Sequence, residues 1–361
     1  MKTDAPIRVL IVDDSALVRK MLVAALAADK QIEVVGTAPD AYIARDKILA
    51  LNPDVITLDI EMPRMDGITF LKKLMRYKPL PVIVISSLGH SACQASLDAL
   101  RAGAVEILAK PNGPNSVGEL AQTLGAKIRA AAAARLTAPV PGSVANNGIA
   151  STARPAALIS SAASLGKDSM IAIGASTGGP AALAEVLHRL PKEVPPILVV
   201  QHMPAVFTRH FAERLDRECH IAVKEAENGD ELLPGRALIA PGNYHMMLKR
   251  SGTGYRVWVG DGPPVCFSRP SVDVLFSSVA KLAGKHAIGA VLTGMGSDGA
   301  RGLLEMRNSG ASTFAQSEET CVVFGMPKEA IRIGAVQTTL PLDRLAGAVL
   351  RQLTIVPVDG V

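Results

Sequence analysis

The chain has 361 residues, enough for two or three domains with separate hydrophobic cores. Hydrophobic residues make up 48% of it but aromatic residues only 3%, so its cores must be aliphatic, as in parallel sheets covered by helices. The net charge of +5 includes no dense lysine and arginine block, and nothing in it indicates a nucleic-acid-binding surface.

The cysteines and the hydropathy pattern indicate the compartment. Four cysteines without CxxC spacing favour reduced thiols and argue against structural zinc. The N-terminus lacks the apolar segment of a signal peptide, and no stretch of about 18 apolar residues indicates a membrane span. We therefore expect a soluble, cytoplasmic protein with no membrane insertion and no nucleic-acid partner.

Apolar runs alternate with helical patterns over residues 1–125. The runs are RVLIVDD, IEVVGTA, DVITLDI, PVIVISS and VEILAKP. Helices are predicted over 15–28, 40–50, 66–77, 91–102 and 116–134. Five such βα units predict an α/β domain with an open, doubly wound parallel sheet.

Polar residues end four of these strands, where sites form in such sheets. They are Asp13, Asp14, Asp59, Ser86 and Lys110. Three carboxylates suit Mg²⁺, which prefers oxygen ligands. With that charge neutralised, Asp59 can attack phosphorus and form an aspartyl phosphate, while Lys110 pairs with the phosphoryl charge and the Ser86 hydroxyl donates to it.

Each of these residues also has a plainer interpretation. Acids that follow a strand commonly cap the next helix, and either Asp14 or Ser15 would cap the helix at 16–28. The joint pattern favours the phosphoryl site, and over residues 1–125 the chain resembles the receiver domain of bacterial response regulators. The resemblance implies a flavodoxin-like fold, phosphorylation of Asp59 by a histidine kinase with Mg²⁺, and Ser86 at the switch position.

Residues 126–167 are interpreted as a helix end followed by a linker rich in alanine, serine and proline. A second α/β pattern occupies 168–356. Its runs are MIAIGAS, PPILVVQHM, RALIAP and AIGAVLTGMGSDG, with a β-hairpin predicted where HMMLKR and YRVWVG flank the turn at 251–254. The remaining strands look parallel, so we expect two doubly wound parallel-sheet domains joined by a linker.

The motif GASTGG places Ser176 between a strand and a helix N-terminus, where backbone N–H groups stabilise an oxyanion. The same motif would also cradle a phosphate or merely turn the chain. His202 and Asp298 end two other strands, which supplies a nucleophile, a base and an orienting acid on one rim. Alternatively, His202 is a core histidine and Asp298 caps a helix.

Six motifs extend a resemblance to the whole chain. They are GASTGGP, QHMP, APGNYHM, RPSVDVLF, LTGMGSDGARG and VVFGMPKEA. They resemble the Rossmann-like catalytic domain of the chemotaxis protein-glutamate methylesterases. The resemblance implies a triad of Ser176, His202 and Asp298, and the backbone N–H of Met295 as an oxyanion donor. It further implies methylated chemoreceptors as substrate, glutamine deamidation, a chemotaxis histidine kinase as phosphodonor, and no cofactor at the esterase site.

Two other classes of function share parts of this pattern. A transcription regulator switched by phosphorylation would need a DNA-binding motif such as a helix-turn-helix after the linker. The sequence has a second α/β pattern there instead. A hydrolase of small esters or amides would use the same serine, so only the choice of substrate separates it from a methylesterase.

Overall fold

The computed structural model describes residues 5–110, 117–136 and 168–355. The chain divides into two units, Met1–Asn146 and Asn147–Val361. Within the described ranges, no helix combines the length and the apolar character needed to cross a membrane.

The first unit is built on one parallel sheet. Its strands are β1 (Ile7–Val12), β2 (Ile32–Ala38), β3 (Val55–Asp59), β4 (Val82–Ser86) and β5 (Glu106–Ala109). Its helices are α1 (Ala16–Leu26), α2 (Ala41–Leu51), α3 (Gly67–Tyr77), α4 (His90–Arg101) and α5 (Val117–Ala132). The strand order β2-β1-β3-β4-β5 is flavodoxin-like, which confirms the expected fold class.

Polar side chains begin three of these helices. Ser15, Asp40 and Asp66 accept hydrogen bonds from the first turns of α1, α2 and α3. The cap of α1 is therefore Ser15, which settles the alternative between it and Asp14. The predicted helices overlap those observed, apart from the predicted start at residue 116, which lies outside the described residues.

The second unit contains a larger parallel sheet and a hairpin. Its strands are β6 (Met170–Ala175), β7 (Ile197–Gln201), β8 (Ala222–Glu225), β9 (Arg236–Ile239), β10 (His245–Ser251), β11 (Gly254–Gly260), β12 (Ala287–Val291), β13 (Ser312–Gln316) and β14 (Thr338–Leu340). Its helices are α6 (Gly179–His188), α7 (Phe207–Glu218), α8 (Val272–Ala283), α9 (Ala300–Asn308), α10 (Met326–Arg332) and α11 (Leu342–Ile355). The hairpin prediction is confirmed, because β10 and β11 pair antiparallel.

The order of the parallel strands determines where a site can form. The sheet runs β14-β13-β12-β6-β7-β9-β8, so β6 enters it between β7 and β12. The connection after β6 runs towards β7, whereas the connection after its other neighbour, β12, runs towards β13. The two connections diverge, and a crevice opens between them at the carboxyl ends of these strands. Ser176 follows β6, His202 follows β7, and Asp298 lies between β12 and α9. The topology thus brings the three predicted residues to one crevice.

Apolar packing against the sheet, the hairpin and α9 holds helix α8 in place. Val272, Leu275, Phe276 and Val279 are fully buried and belong to a cluster that includes residues of the sheet, of the hairpin and of α9. A Cβ added at Gly302 of α9 would lie 2.6 Å from Phe276 Cβ, so the two helices approach closely. The N-terminus of α8 is therefore fixed in position.

We expect Phe276→Ala to destabilise the second unit by about 3–5 kcal/mol, because it leaves a cavity at a fully buried position. The matched control is Leu282→Ala on the same helix, where the side chain is 36% exposed and the cost should stay below about 1 kcal/mol. Urea unfolding followed by the fluorescence of Trp258, the single tryptophan, reports on this unit. Equal losses in the two variants would contradict the packing described.

Candidate functional site

An acidic pocket lies at the carboxyl ends of β1 and β3. Asp59 is buried, and its Oδ2 accepts a hydrogen bond from Lys110 Nζ at 2.7 Å while its Oδ1 accepts from the Glu61 backbone N–H at 3.1 Å. Asp13 is also buried, with its Oδ2 3.2 Å from Lys110 Nζ. The structure thus brings Asp13, Asp59 and Lys110 into direct contact.

Burial is the main influence on the pKa values of the acids in this pocket. Burial raises the pKa of Asp59 to about 6; the Lys110 hydrogen bond opposes this shift and the charge of Asp13 adds to it. Burial likewise raises the pKa of Asp13. For Lys110 burial acts to lower the pKa, but the two carboxylates outweigh it and the pKa is raised. Lys110 therefore only partly offsets the effect of burial on the two acids.

The residues of the pocket fit a divalent cation. One carboxylate oxygen from each of Asp13, Asp14 and Asp59 lies within 4.8 Å of the other two. Asp13 Oδ2 is buried and receives no well-aligned hydrogen bond, although Lys110 stands nearby. An all-oxygen set with an unsatisfied buried oxygen suits Mg²⁺, which binds through a few carboxylates and keeps several waters.

Two further residues shape this pocket. The Ser86 hydroxyl is buried and donates towards the Ala92 carbonyl of α4 at 3.4 Å, so it links the end of β4 to that helix. Gly67, which sequence reasoning missed, begins α3; a Cβ there would lie 2.2 Å from the Asp59 carbonyl oxygen. The glycine after the capping Asp66 was the signal for this close approach.

The second site centres on the Asp298 carboxylate, which is 2% exposed and accepts four hydrogen bonds. Oδ1 accepts from the Ser271 hydroxyl at 2.7 Å and the Asp273 N–H at 3.0 Å. Oδ2 accepts from the Val272 N–H at 2.7 Å and His202 Nε2 at 2.8 Å. Asp298 therefore caps the start of α8 and binds the histidine at the same time.

These contacts favour the ionised form of Asp298 and determine which ring nitrogen of His202 faces it. Burial acts to raise the pKa of Asp298, but the hydrogen bond and charge of His202, with the donors at the start of α8, outweigh it and lower the pKa. The ionised carboxylate can only accept, so Nε2 of His202 carries a proton. A neutral imidazole then has its lone pair on Nδ1, which lies 3.5 Å from the Ser268 hydroxyl.

Ser176 lies in the same crevice, 2% exposed, at the turn from β6 into α6. Its N–H donates to the Thr293 carbonyl at 3.0 Å, and its carbonyl accepts from the Gly179 N–H at 2.7 Å. A Cβ at Gly294 would lie 2.7 Å from Ser176 Cβ, so the loop that carries Met295 packs against the serine. Among the hydrogen bonds of the described residues, none joins the Ser176 hydroxyl to His202.

Three supporting residues were missed from the sequence. Gln201 is fully buried, and its Nε2 donates to the carbonyls of Ser176 at 2.9 Å and His202 at 3.1 Å. The Thr293 hydroxyl donates to the Thr177 carbonyl at 3.0 Å. Ser271 caps α8, and its position before an apolar helical run was the readable signal. These residues fix the backbone of the site.

Comparisons with known proteins give the same two-part organisation. Residues 9–122 match the model of the response regulator receiver domain, and residues 171–349 match that of the CheB methylesterase. The protein-glutamate methylesterase/protein-glutamine glutaminase 2 of Syntrophus aciditrophicus is 54% identical, over 96% of this chain and 99% of that one. The protein of the same activity from Sulfurimonas denitrificans is 51% identical, over 94% and 96%.

A solved structure matches the second unit. The Thermotoga maritima CheB methylesterase catalytic domain is 39% identical with a TM-score of 0.50. The match covers 50% of this chain and 97% of that one.

The lowered pKa of Asp298 predicts a stability contribution that is lost in acid. An acid whose folded-state pKa is depressed stabilises the fold above its unfolded value of about 4, and this contribution disappears as the pH falls through the folded value. We therefore expect wild type to be more stable than Asp298→Asn at pH 6, with the difference shrinking towards pH 3. The measurement is urea unfolding followed by Trp258 fluorescence.

Glu329→Gln is the control for this experiment, because Glu329 is an acid whose pKa is lowered by an exposed pair with Arg332. Exposed pairs contribute little to stability, so this variant should match wild type at every pH. A difference between wild type and Asp298→Asn that grows in acid would contradict the ionised carboxylate.

Proposed function

Because the chain belongs to the family of receiver-linked protein-glutamate methylesterases and protein-glutamine glutaminases, we propose that Ser176, His202 and Asp298 perform its hydrolysis of glutamate γ-methyl esters. The proposed substrates are methylated chemoreceptors, and glutamine side chains of the same receptors are deamidated. The observation that supports this most is the 2.8 Å contact of His202 with Asp298, at the crevice where Ser176 begins a helix turn.

The hydrogen bonds support a proposed role for each group. Asp298 holds the proton on Nε2 of His202 and stabilises the imidazolium that forms, without taking the proton itself. Nδ1 is then the base that deprotonates the Ser176 hydroxyl. The serine–histidine hydrogen bond must form with substrate, since such bonds are often long in free enzymes. Nδ1 gives up its long contact with Ser268 in that step.

The activated serine attacks the γ-carbonyl of the glutamyl ester. Backbone N–H groups at the start of α6 and that of Met295 stabilise the oxyanion, each contributing about 3–4 kcal/mol as in other acyl-transfer sites. The tetrahedral intermediate collapses, His202 returns its proton to the leaving oxygen, and methanol departs. Water then attacks the glutamyl–serine ester by the same steps. With a glutamine the leaving group is ammonia.

The acidic pocket is the proposed regulatory site. Asp59 accepts a phosphoryl group from a histidine kinase, Lys110 pairs with that group, and Ser86 senses it through its link to α4. Asp13, Asp14 and Asp59 would hold Mg²⁺, which neutralises charge when bound.

The remaining assignments concern organisation and location. We propose a receiver domain over 1–125, a helix end and linker over 126–167 and a catalytic domain over 168–356, which is consistent with the family matches. We place the protein in the cytoplasm, where its kinase and the cytoplasmic part of its receptors would meet it. No nucleic acid is needed for this function.

Ser176 is the proposed nucleophile, and Ser268 is the serine whose hydroxyl lies 3.5 Å from His202 Nδ1, so substitution of each tests the assignment. We expect Ser176→Ala to reduce methanol release from methylated receptor at least about 10³-fold, since it removes the attacking group. The matched control is Ser268→Ala, which removes the hydroxyl 3.5 Å from Nδ1 and should keep the rate within about threefold, because this contact is too long for a strong hydrogen bond. A reversed order of effects would show that Ser268 is the nucleophile.

The charge of the pocket predicts how Mg²⁺ binds. A bound cation must displace the proton of Asp59, whose pKa is about 6, so calorimetric affinity should fall between pH 7.5 and pH 5.5. Asp13→Asn should weaken binding at both pH values. Asp46→Asn, an exposed acid paired with Arg45, should leave it unchanged. If wild type, Asp13→Asn and Asp46→Asn bound Mg²⁺ with equal affinity, the cation would not be bound in this pocket.

A further inference from the structure

The segment from Val265 to Ser268, here called the 265–268 turn, has an unusual backbone. The Val265 N–H donates to the Ser268 carbonyl at 3.1 Å and the Ser268 N–H returns a bond to Val265 at 2.9 Å. The two residues between them, Cys266 and Phe267, have φ of 49° and 62°. Positive φ at both central residues is the pattern of a type I′ turn, which favours Asn-Gly and is unfavourable for Cys and Phe.

The flanks of the 265–268 turn are held in place. The Arg269 guanidinium binds the Asp261 carboxylate and donates to the Gly262 carbonyl at 2.7 Å. On the other side, His245 Nε2 donates to the Pro263 carbonyl at 3.0 Å. These ties join the two ends of the segment to each other and to β10. The direction in which the turn projects is therefore determined by the fold.

The 265–268 turn exposes the ring of Phe267 to solvent close to His202, the proposed catalytic base. Phe267 is 103% exposed, whereas the hydroxyl of the next residue, Ser268, lies 3.5 Å from His202 Nδ1. Single exposed hydrophobic residues are normal on protein surfaces. A fully exposed phenylalanine on left-handed backbone next to an active site is different, because strain of this kind is retained mainly where it serves function.

The burial of the catalytic groups indicates what meets this ring. Ser176 and Asp298 are each 2% exposed, so a glutamyl side chain must extend inwards to reach them. The protein surface that carries this glutamyl group then rests on the rim of the crevice. Phe267 stands on that rim, and a rigid aromatic residue loses little conformational entropy when it is covered.

We propose that Phe267 is a substrate-docking residue whose ring packs against an apolar side chain beside the modified glutamate of the protein substrate. This inference rests on the proposed function and extends it, because it states what the substrate must present besides the ester. A small ester offers no such surface. Phe267 thus selects protein substrates by contact outside the crevice.

The test measures binding without turnover. Full-length chain carrying Ser176→Ala, supplied with a small phosphodonor and Mg²⁺, is titrated with a methylated cytoplasmic receptor fragment. Adding Phe267→Asn should raise the Kd about tenfold, as expected when an aromatic anchor of an interface is removed. Asparagine tolerates left-handed backbone, so this variant removes the ring and keeps the turn. Phe267→Tyr keeps the ring and should hold the Kd within about twofold.

The control is Leu233→Ala, an exposed apolar residue of the same unit that should leave the Kd unchanged. Thermal melts followed by Trp258 fluorescence show whether each variant is folded. An unchanged Kd in Phe267→Asn, an equal loss in Leu233→Ala, or no measurable binding of the parent chain would overturn the inference. Methanol release by the chain with Ser176 intact is measured separately. If binding depends on Phe267 but no methanol is released, the proposed function is overturned and the docking role of Phe267 is not.

Discussion

The site depends on one buried carboxylate with four donors. Burying an ionised acid is costly unless its oxygens are hydrogen-bonded, and Asp298 meets this condition with two N–H groups and one hydroxyl from the start of α8, and with His202. The donors that stabilise the charge also fix its position. Packing of α8 on the sheet, the capping of that helix and the orientation of the histidine are therefore parts of one arrangement.

Each unit has its site at the carboxyl ends of its parallel strands, but the two sites shift the pKa of their buried acids in opposite directions. In the first unit, Asp13 and Asp59 share one lysine, and their raised pKa values mark a pocket that gains stability from a cation. In the second, the lowered pKa of Asp298 marks a carboxylate whose donors already balance it. Buried acids that are only partly offset by a lysine suit the binding of a cation, whereas a carboxylate stabilised by its donors suits the orientation of a proton-transferring histidine.

The sequence predicted the parts of this arrangement that are encoded locally. Buried strands such as β6, β7 and β12 are continuous apolar runs, so the polar residues that end them could be assigned to one rim. The strands β8, β13 and β14 were not predicted because they are short and partly polar, and β8 and β14 lie at sheet edges. Ser271 was missed because its contact with Asp298 spans 27 positions, and Gln201 because a strand pattern does not show where a side chain hydrogen-bonds.

The most direct test of the account is to identify the residue that becomes covalently modified. The chain is treated with a fluorophosphonate, which reacts with serines activated by a neighbouring base, and the labelled peptide is found by mass spectrometry. The account predicts one adduct, on Ser176, formed far more slowly in Asp298→Asn because the carboxylate no longer orients His202. An adduct on Ser268, or labelling of Ser176 at an unchanged rate in Asp298→Asn, would contradict it.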